Sequence, residues 1–247
     1  MNEYLSIPGS RWGDPQFTDV FTDPEDIAKY RDSPLSERGV RQAESLSSRL
    51  GKEDCKIIEE IQLIAVSPLQ RALQTMEISL YPNLWPGEVP IIALPQASER
   101  VYLISDFGTS TKELKKQYPI VDFDSEIPKE KSDSWWISDY SSNTTTNYKE
   151  WRPCDDGQTY AQPGEVESAF NERMVSLYDW LAQRPESTIA LICHWGVLEW
   201  LTGYDFDNCE MRVIDFADMK RTGFIISDNE FNEIFKDGER SVIQDIQ

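Results

Sequence analysis

The sequence predicts an α/β fold, a three-layer α/β/α sandwich with a mostly parallel central sheet. Two observations predict it. Short apolar runs that read as buried strands, at 58–68, 89–97 and 188–193, alternate with amphipathic runs that read as helices. The chain also has enough material for a sizeable core: 247 residues, 39% hydrophobic, with 8 Trp, 10 Tyr and 10 Phe. No internal repeat or low-complexity linker divides it, so a single domain over residues 1–247 is expected.

The elements follow in order. Residues 1–33 are rich in Asp, Pro, Thr and Gly and read as loop, with one helical turn near "DPEDIAKY". Val40, Ala43, Leu46 and Leu50 then recur at the spacing of one helical face, and Gly51 can end that helix. "IEEIQLIAVSP" reads as a strand ending at Ser67-Pro68, and "LQRALQTMEISLY" as the helix after it. Ser67 is the expected cap and Pro68 suits the first position. "VPIIALPQA" is a second buried strand.

Residues 98–164 form a long elaborated region holding the helix "STKELKKQYP", Trp135, Trp136 and Trp151. So long an insertion suits a lid over a site. Equally, it suits a surface excursion pinned by its tryptophans. A long helix follows over 163–185, with Val166, Phe170, Met174, Leu177 and Leu181 on one side. The strand Thr188–Cys193 leads into His194, and a helix runs from Gly196 to Gly203. "RTGFIISDN" suggests a last strand, and 228–247 reads as a peripheral tail.

The formal net charge of −20 argues against nonspecific nucleic-acid binding, which needs a basic face. Cys55, Cys154, Cys193 and Cys209 show no C-x-x-C spacing, and one histidine offers little to zinc, so no metal is expected. No run approaches the ~18 apolar residues of a membrane span. The start "MNEYLSIPGSRWGD" lacks the basic and apolar regions of a signal peptide. A cytoplasmic protein without membrane attachment is expected, and oligomeric state is not legible.

Ligands in parallel sheets bind at the carboxyl ends of strands. Two such ends stand out: Ser67-Pro68 with Arg71 one turn later, and His194. An Arg and a His beside two helix amino ends would suit an anion such as phosphate.

Four segments carrying these residues resemble the histidine phosphatase superfamily, also called phosphoglycerate mutase-like. "DSPLSERGVRQA" (32–43) is similar to the family's helix entry. "VSPLQRALQT" (66–75) is similar to its S-P-L-x-R motif. "ASERVYLISDFGTSTKELKKQYPIVDF" (97–123) resembles the segment bearing its acidic residue, nearest to the branch of plants, fungi and protists. "ALICHWGVLEWLTG" (190–203) resembles its closing H-x-G segment.

The resemblance implies phosphomonoester hydrolysis through phosphohistidine, without metal or other cofactor, on a small phosphorylated substrate. It makes Arg71 the phosphate-clamping arginine, His194 the second histidine stabilising the transferring phosphoryl group, and Glu99 the acid-base, with Glu88 and Asp106 nearby. Ser67 and Asn2 fall beside the substrate. A mutase-type phosphotransferase is the less favoured activity.

The family's first motif, a strand ending in Arg-His-Gly, supplies the nucleophile. His194 is the chain's one histidine, so that nucleophile is absent as written. In one account "SRWG" (10–13) is a decayed version with Trp12 in its place, giving an inactive pseudophosphatase that binds phosphate or protein. In the other, the strand lies upstream and Asn2 is the motif's last position. The second is favoured, because Pro8 and Gly9 make "YLSIPGS" a poor central strand. Lacking its first strand, the sheet would have unpaired backbone groups and exposed apolar faces.

Overall fold

The computed structural model describes residues 30–52, 55–84, 87–101, 104–136, 152–153, 160–161, 165 and 167–223. The helical turn near "DPEDIAKY", apart from Tyr30, lies outside these residues, as do Asn2, Trp12, Trp151 and Cys154. So do the strand expected beyond Gly223 and the tail.

Helix α1 (Glu37–Leu50) opens the described fold. Ser36 caps it, its hydroxyl accepting the Gly39 N–H, and Gly51 follows its last turn. Ala43, Leu46 and Leu50 are buried, as their spacing predicts, while Val40 at the same face is only half-buried. A short turn of helix, α2 (Ile57–Glu60), leads to strand β1 (Leu63–Val66). The expected strand over 58–68 is therefore shorter. Glu59 and Glu60 are exposed on the helical turn, where a central buried strand would have stranded their charges.

Helix α3 (Gln70–Ser79) starts two residues later than expected. Its cap position is Leu69, which makes no side-chain capping bond. Strand β2 (Ile91–Ala93) follows. Helix α4 (Thr111–Gln117) matches the run before Pro119. Two-residue strands β3 (Arg152–Pro153) and β4 (Tyr160–Ala161) pair antiparallel. Helix α5 (Glu167–Ala182), strand β5 (Ile189–Ile192) and helix α6 (Trp195–Thr202) complete the order. Gly203 closes α6 at φ 70°, a left-handed conformation that glycine adopts without strain.

The main sheet has the order β2-β1-β5, with both pairings parallel. Side chains of β1 alternate between two cores, as the pleat requires. Ile64 and Val66 pack with Leu46 and Leu50 of α1 and Leu73 and Met76 of α3. Ala65 packs with Phe170, Met174 and Leu177 of α5 and Val197 and Leu201 of α6. Helices thus cover both faces, and the α/β sandwich is observed as predicted. Among the described residues β5 is an edge strand. Its four apolar residues are all half-buried, whereas those of β1 are fully buried. No helix among the described residues is long and apolar enough to cross a membrane.

Residues 104–136, within the region read as a lid or a pinned excursion, are pinned. Trp135 is buried, and its indole N–H donates to the Thr109 carbonyl at 2.8 Å. Its ring lies so close over Gly108 that a Cβ there would overlap it. Thr111 N–H bonds the Ser132 carbonyl, closing the two segments together.

Candidate active site

The carboxyl ends of β1, β2 and β5 bring four predicted residues to one side of the sheet. Ser67 follows β1, and Arg71 sits in the first turn of α3. Glu99 follows β2 after a 3-10 turn, Pro95–Ala97. His194 follows β5 and is the residue before α6. Parallel strands place all these ends together, which is why residues so distant in sequence converge.

His194 is 8% exposed, and its Nε2 lies 2.8 Å from the Ser67 hydroxyl. Ser67 Oγ also accepts the Leu69 N–H at 3.3 Å. This bond is what Ser67 does instead of capping α3. With its acceptor role partly used, Ser67 can donate its proton to Nε2, which leaves the proton of a neutral imidazole on Nδ1. Burial, followed by the positive charges of Arg71 and Arg173, holds His194 well below the ordinary histidine range. The imidazole is therefore neutral at physiological pH. A Ser-His pair at this distance would suit nucleophilic catalysis, but Ser67 has no exposed surface for a substrate to reach.

Arg71 donates through one terminal nitrogen to the Ser105 carbonyl at 2.8 Å and through the other to Asp106 at 3.0 Å. A guanidinium has five N–H donors, so three remain without a protein acceptor among the described residues. Glu99 packs against the first turn of α6. A Cβ built on Gly196 would stand 2.9 Å from Glu99 Oε1, so glycine is what lets the carboxyl approach that helix end. Burial and then the charge of Asp106 push the Glu99 carboxyl up to about 7, against the opposing charges of Arg71 and Arg173. Glu88 is exposed in the turn before β2, at the far end of that strand from this cluster.

Three further residues complete the cluster. Arg173 is 6% exposed, and all five of its donors are used. Two go to the Glu165 carboxylate at 2.6 and 2.7 Å. The others reach the carbonyls of Gln96, Ser98 and Glu99. Its fork thus fixes the loop that carries Glu99. Position 173 lies on the same helical face as Phe170, Met174 and Leu177, so a cation amid an apolar face was the available signal. Glu199 lies one turn along α6 from Gly196. Burial, Asp205 and Glu99 together push its carboxyl up to about 7. Asp106 is buried beside Arg71. Among the described residues no group of three or more His, Cys, Asp or Glu side chains could hold a metal ion.

Comparison with known proteins finds similarity over a span that contains the first three of the four motif segments. Residues 24–126 match the model of the histidine phosphatase superfamily (branch 1), a span that includes Ser67, Arg71, Glu99 and Asp106. A protein of Schizosaccharomyces pombe described as a probable phosphatase is 31% identical over 101 residues, which are 41% of this chain and 45% of that protein. The chain thus spans less than half the length of this relative. His194 and β5 lie beyond the matched family span. With a parallel sheet flanked by helices and the S-P-L-x-R segment at the end of its central strand, the chain carries a histidine phosphatase superfamily domain at residues 24–126.

Proposed function

We propose that this cluster is the phosphate-binding part of a phosphomonoester hydrolase acting on a small phosphorylated substrate through phosphohistidine. The observation that carries the proposal is Arg71. It is held by two acceptors on one flank, keeps three donors for a ligand, and stands in one cluster with the neutral His194. Such a fork suits phosphate oxygens taken two at a time. His194 offers its Nδ1–H to a third oxygen and so stabilises charge on the transferring group. Ser67 orients that ring. Glu99, near 7, holds a proton at neutral pH for the leaving oxygen and can afterwards take one from the attacking water.

The attacking histidine is, in this reading, supplied by a segment outside these 247 residues, carried on a strand beside β5. His194 is committed to Ser67, and the half-buried apolar edge of β5 suits a parallel neighbour. Asn2 would be the last position of the motif that this segment begins. The relative's description favours hydrolysis over mutase-type transfer. The free thiols of Cys55, Cys193 and Cys209 suit a cytoplasmic setting, and one domain over residues 1–247 remains part of the proposal.

The test is p-nitrophenyl phosphate hydrolysis between pH 5 and 8, comparing this chain with a form extended upstream to the next in-frame start. Activity in the extended form alone, lost in His194→Ala, supports the reading. Inactivity of both, with phosphate still bound, would make the protein a phosphate-binding pseudophosphatase. Strong activity of the 247-residue chain would refute an external nucleophile.

A further inference from the structure

Asp32 is 1% exposed and stands in the left-handed region at φ 44°. A carboxylate in such a place is costly to desolvate, and its backbone is strained for a residue with a side chain. Both of its oxygens are used across long separations. Oδ1 accepts the Gln70 N–H at 2.8 Å, and Oδ2 accepts the Thr109 N–H at 2.9 Å. Gln70 is the first residue of α3, whose own cap residue, Leu69, has no side-chain acceptor. Asp32 therefore satisfies an orphan amide of that helix from 38 residues away.

The two amides it grips flank the Arg71 contacts. Gln70 immediately precedes Arg71. Thr109 lies in the same short segment as Ser105 and Asp106, the two acceptors of the Arg71 guanidinium. The ring closes as Asp32 to Gln70, Arg71 to Asp106, and Thr109 back to Asp32. The Gln70 side chain adds a bond to the Thr109 hydroxyl at 3.3 Å. The segment is also held from its other side. Arg31 donates twice to the Gly108 carbonyl and stacks over Trp136, with its guanidinium carbon 4.9 Å from the ring centre.

We infer that Asp32 is a positioning residue for the Arg71 guanidinium, setting the gap between the start of α3 and the 105–109 segment. The inference rests on the phosphate-clamp reading only for its consequence. Its geometric content is where Arg71 points. Two negatively charged groups bracket one cation, Asp106 by direct contact and Asp32 through the backbone. Loss of the Asp32 grip frees α3 and the 105–109 segment to part, and the unfilled donors of Arg71 then lose their aim.

The experiment uses the whole chain, with Asp32→Asn, Arg71→Ala and Leu181→Ala. Leu181→Ala is a destabilising control on α5, away from the ring. Three readouts are taken: the Arg71 Nε–Hε NMR cross peak, the affinity for inorganic phosphate, and the melting temperature. Asp32→Asn keeps one acceptor oxygen and turns an NH2 toward the other amide. It should shift or broaden the Arg71 cross peak and weaken phosphate binding about tenfold or more. Leu181→Ala should leave both unchanged whatever its melting temperature.

An unmoved Arg71 cross peak in folded Asp32→Asn overturns the inference, however far the melting temperature falls. Where Asp32→Asn does not fold, Asp32→Glu, which keeps the charge on a longer arm, is read by the same criteria. If Arg71→Ala binds phosphate as well as the wild type, the clamp reading fails instead, and the cross peak still decides the role of Asp32.

Discussion

Replacing Arg173 by methionine should be among the most damaging single changes in the described fold. The side chains of Arg173 and Glu165 are only 8% and 4% exposed. Arg173→Met leaves the Glu165 carboxylate buried without its cation, and removing one partner of a buried pair costs about 3–5 kcal/mol. It also strips the carbonyls of Gln96, Ser98 and Glu99 of a donor, though a shift of the loop toward water can recover part of that. At about 2–4 °C per kcal/mol for a chain of this size, the melting temperature should fall by about 6–20 °C.

The assay is urea denaturation followed by tryptophan fluorescence, run with the double variant Arg173→Met/Glu165→Leu. The double variant removes the stranded charge and should recover more than half of the loss, leaving the carbonyl component. A single variant within about 1 kcal/mol of the wild type would refute the account, since marginal stability leaves no room to hide a stranded charge. A double variant as unstable as the single would show that Glu165 is not what the loss comes from.

Other expectations are as direct. Glu99 and Glu199 are each pushed up to about 7, so the native state binds more protons than the unfolded one between about 4.5 and 7. Their contribution to stability is present below that window and is lost as pH rises through it. Glu99→Gln and Glu199→Gln should each flatten the pH dependence of urea midpoints there. His194 runs the other way: held neutral in the fold, it costs stability as pH falls below about 6.5. As the chain's one histidine it gives one assignable imidazole signal, which should not titrate between pH 6 and 8; a midpoint near 6.5 would contradict its burial against two guanidinium groups. Gly108→Ala should overpack Trp135 and cost about 1–3 kcal/mol, with a changed near-ultraviolet tryptophan dichroism.

Most of the fold was legible because its elements are written in local pattern. The face of α1 needs only the spacing of Ala43, Leu46 and Leu50. The continuous apolar run of β1 announces a strand buried on both faces. The misreadings arose where a distant group supplied what a neighbour was expected to supply. Ser67 looked like the cap of α3 because nothing local shows that Asp32 already serves Gln70 from 38 positions away, which freed the Ser67 hydroxyl for His194. The later start of β1 has a local reason: two adjacent glutamates in a central strand must send one side chain into a core, and a helical turn keeps both in water.

The candidate site divides the same way. Arg71, Ser67 and His194 stand at strand ends, so the strand-helix alternation alone nominates them. Glu99 also follows a strand, at the opposite end of β2 from Glu88, but what raises its carboxyl is desolvation beside Gly196 and a neighbouring negative charge at Asp106. Neither is a property of spacing. The residues that hold the site in shape, Asp32 and Arg173, were the least legible of all. Asp32 spends its charge on backbone amides, and Arg173 divides its donors between the Glu165 carboxylate and backbone carbonyls; backbone groups carry no sequence signature. The visible trace of such a residue is a charge where the pattern calls for burial, as Arg173 shows among Phe170, Met174 and Leu177. A charge in that position has to be fully satisfied by the fold around it, and the group it satisfies in turn is the loop that carries the acid.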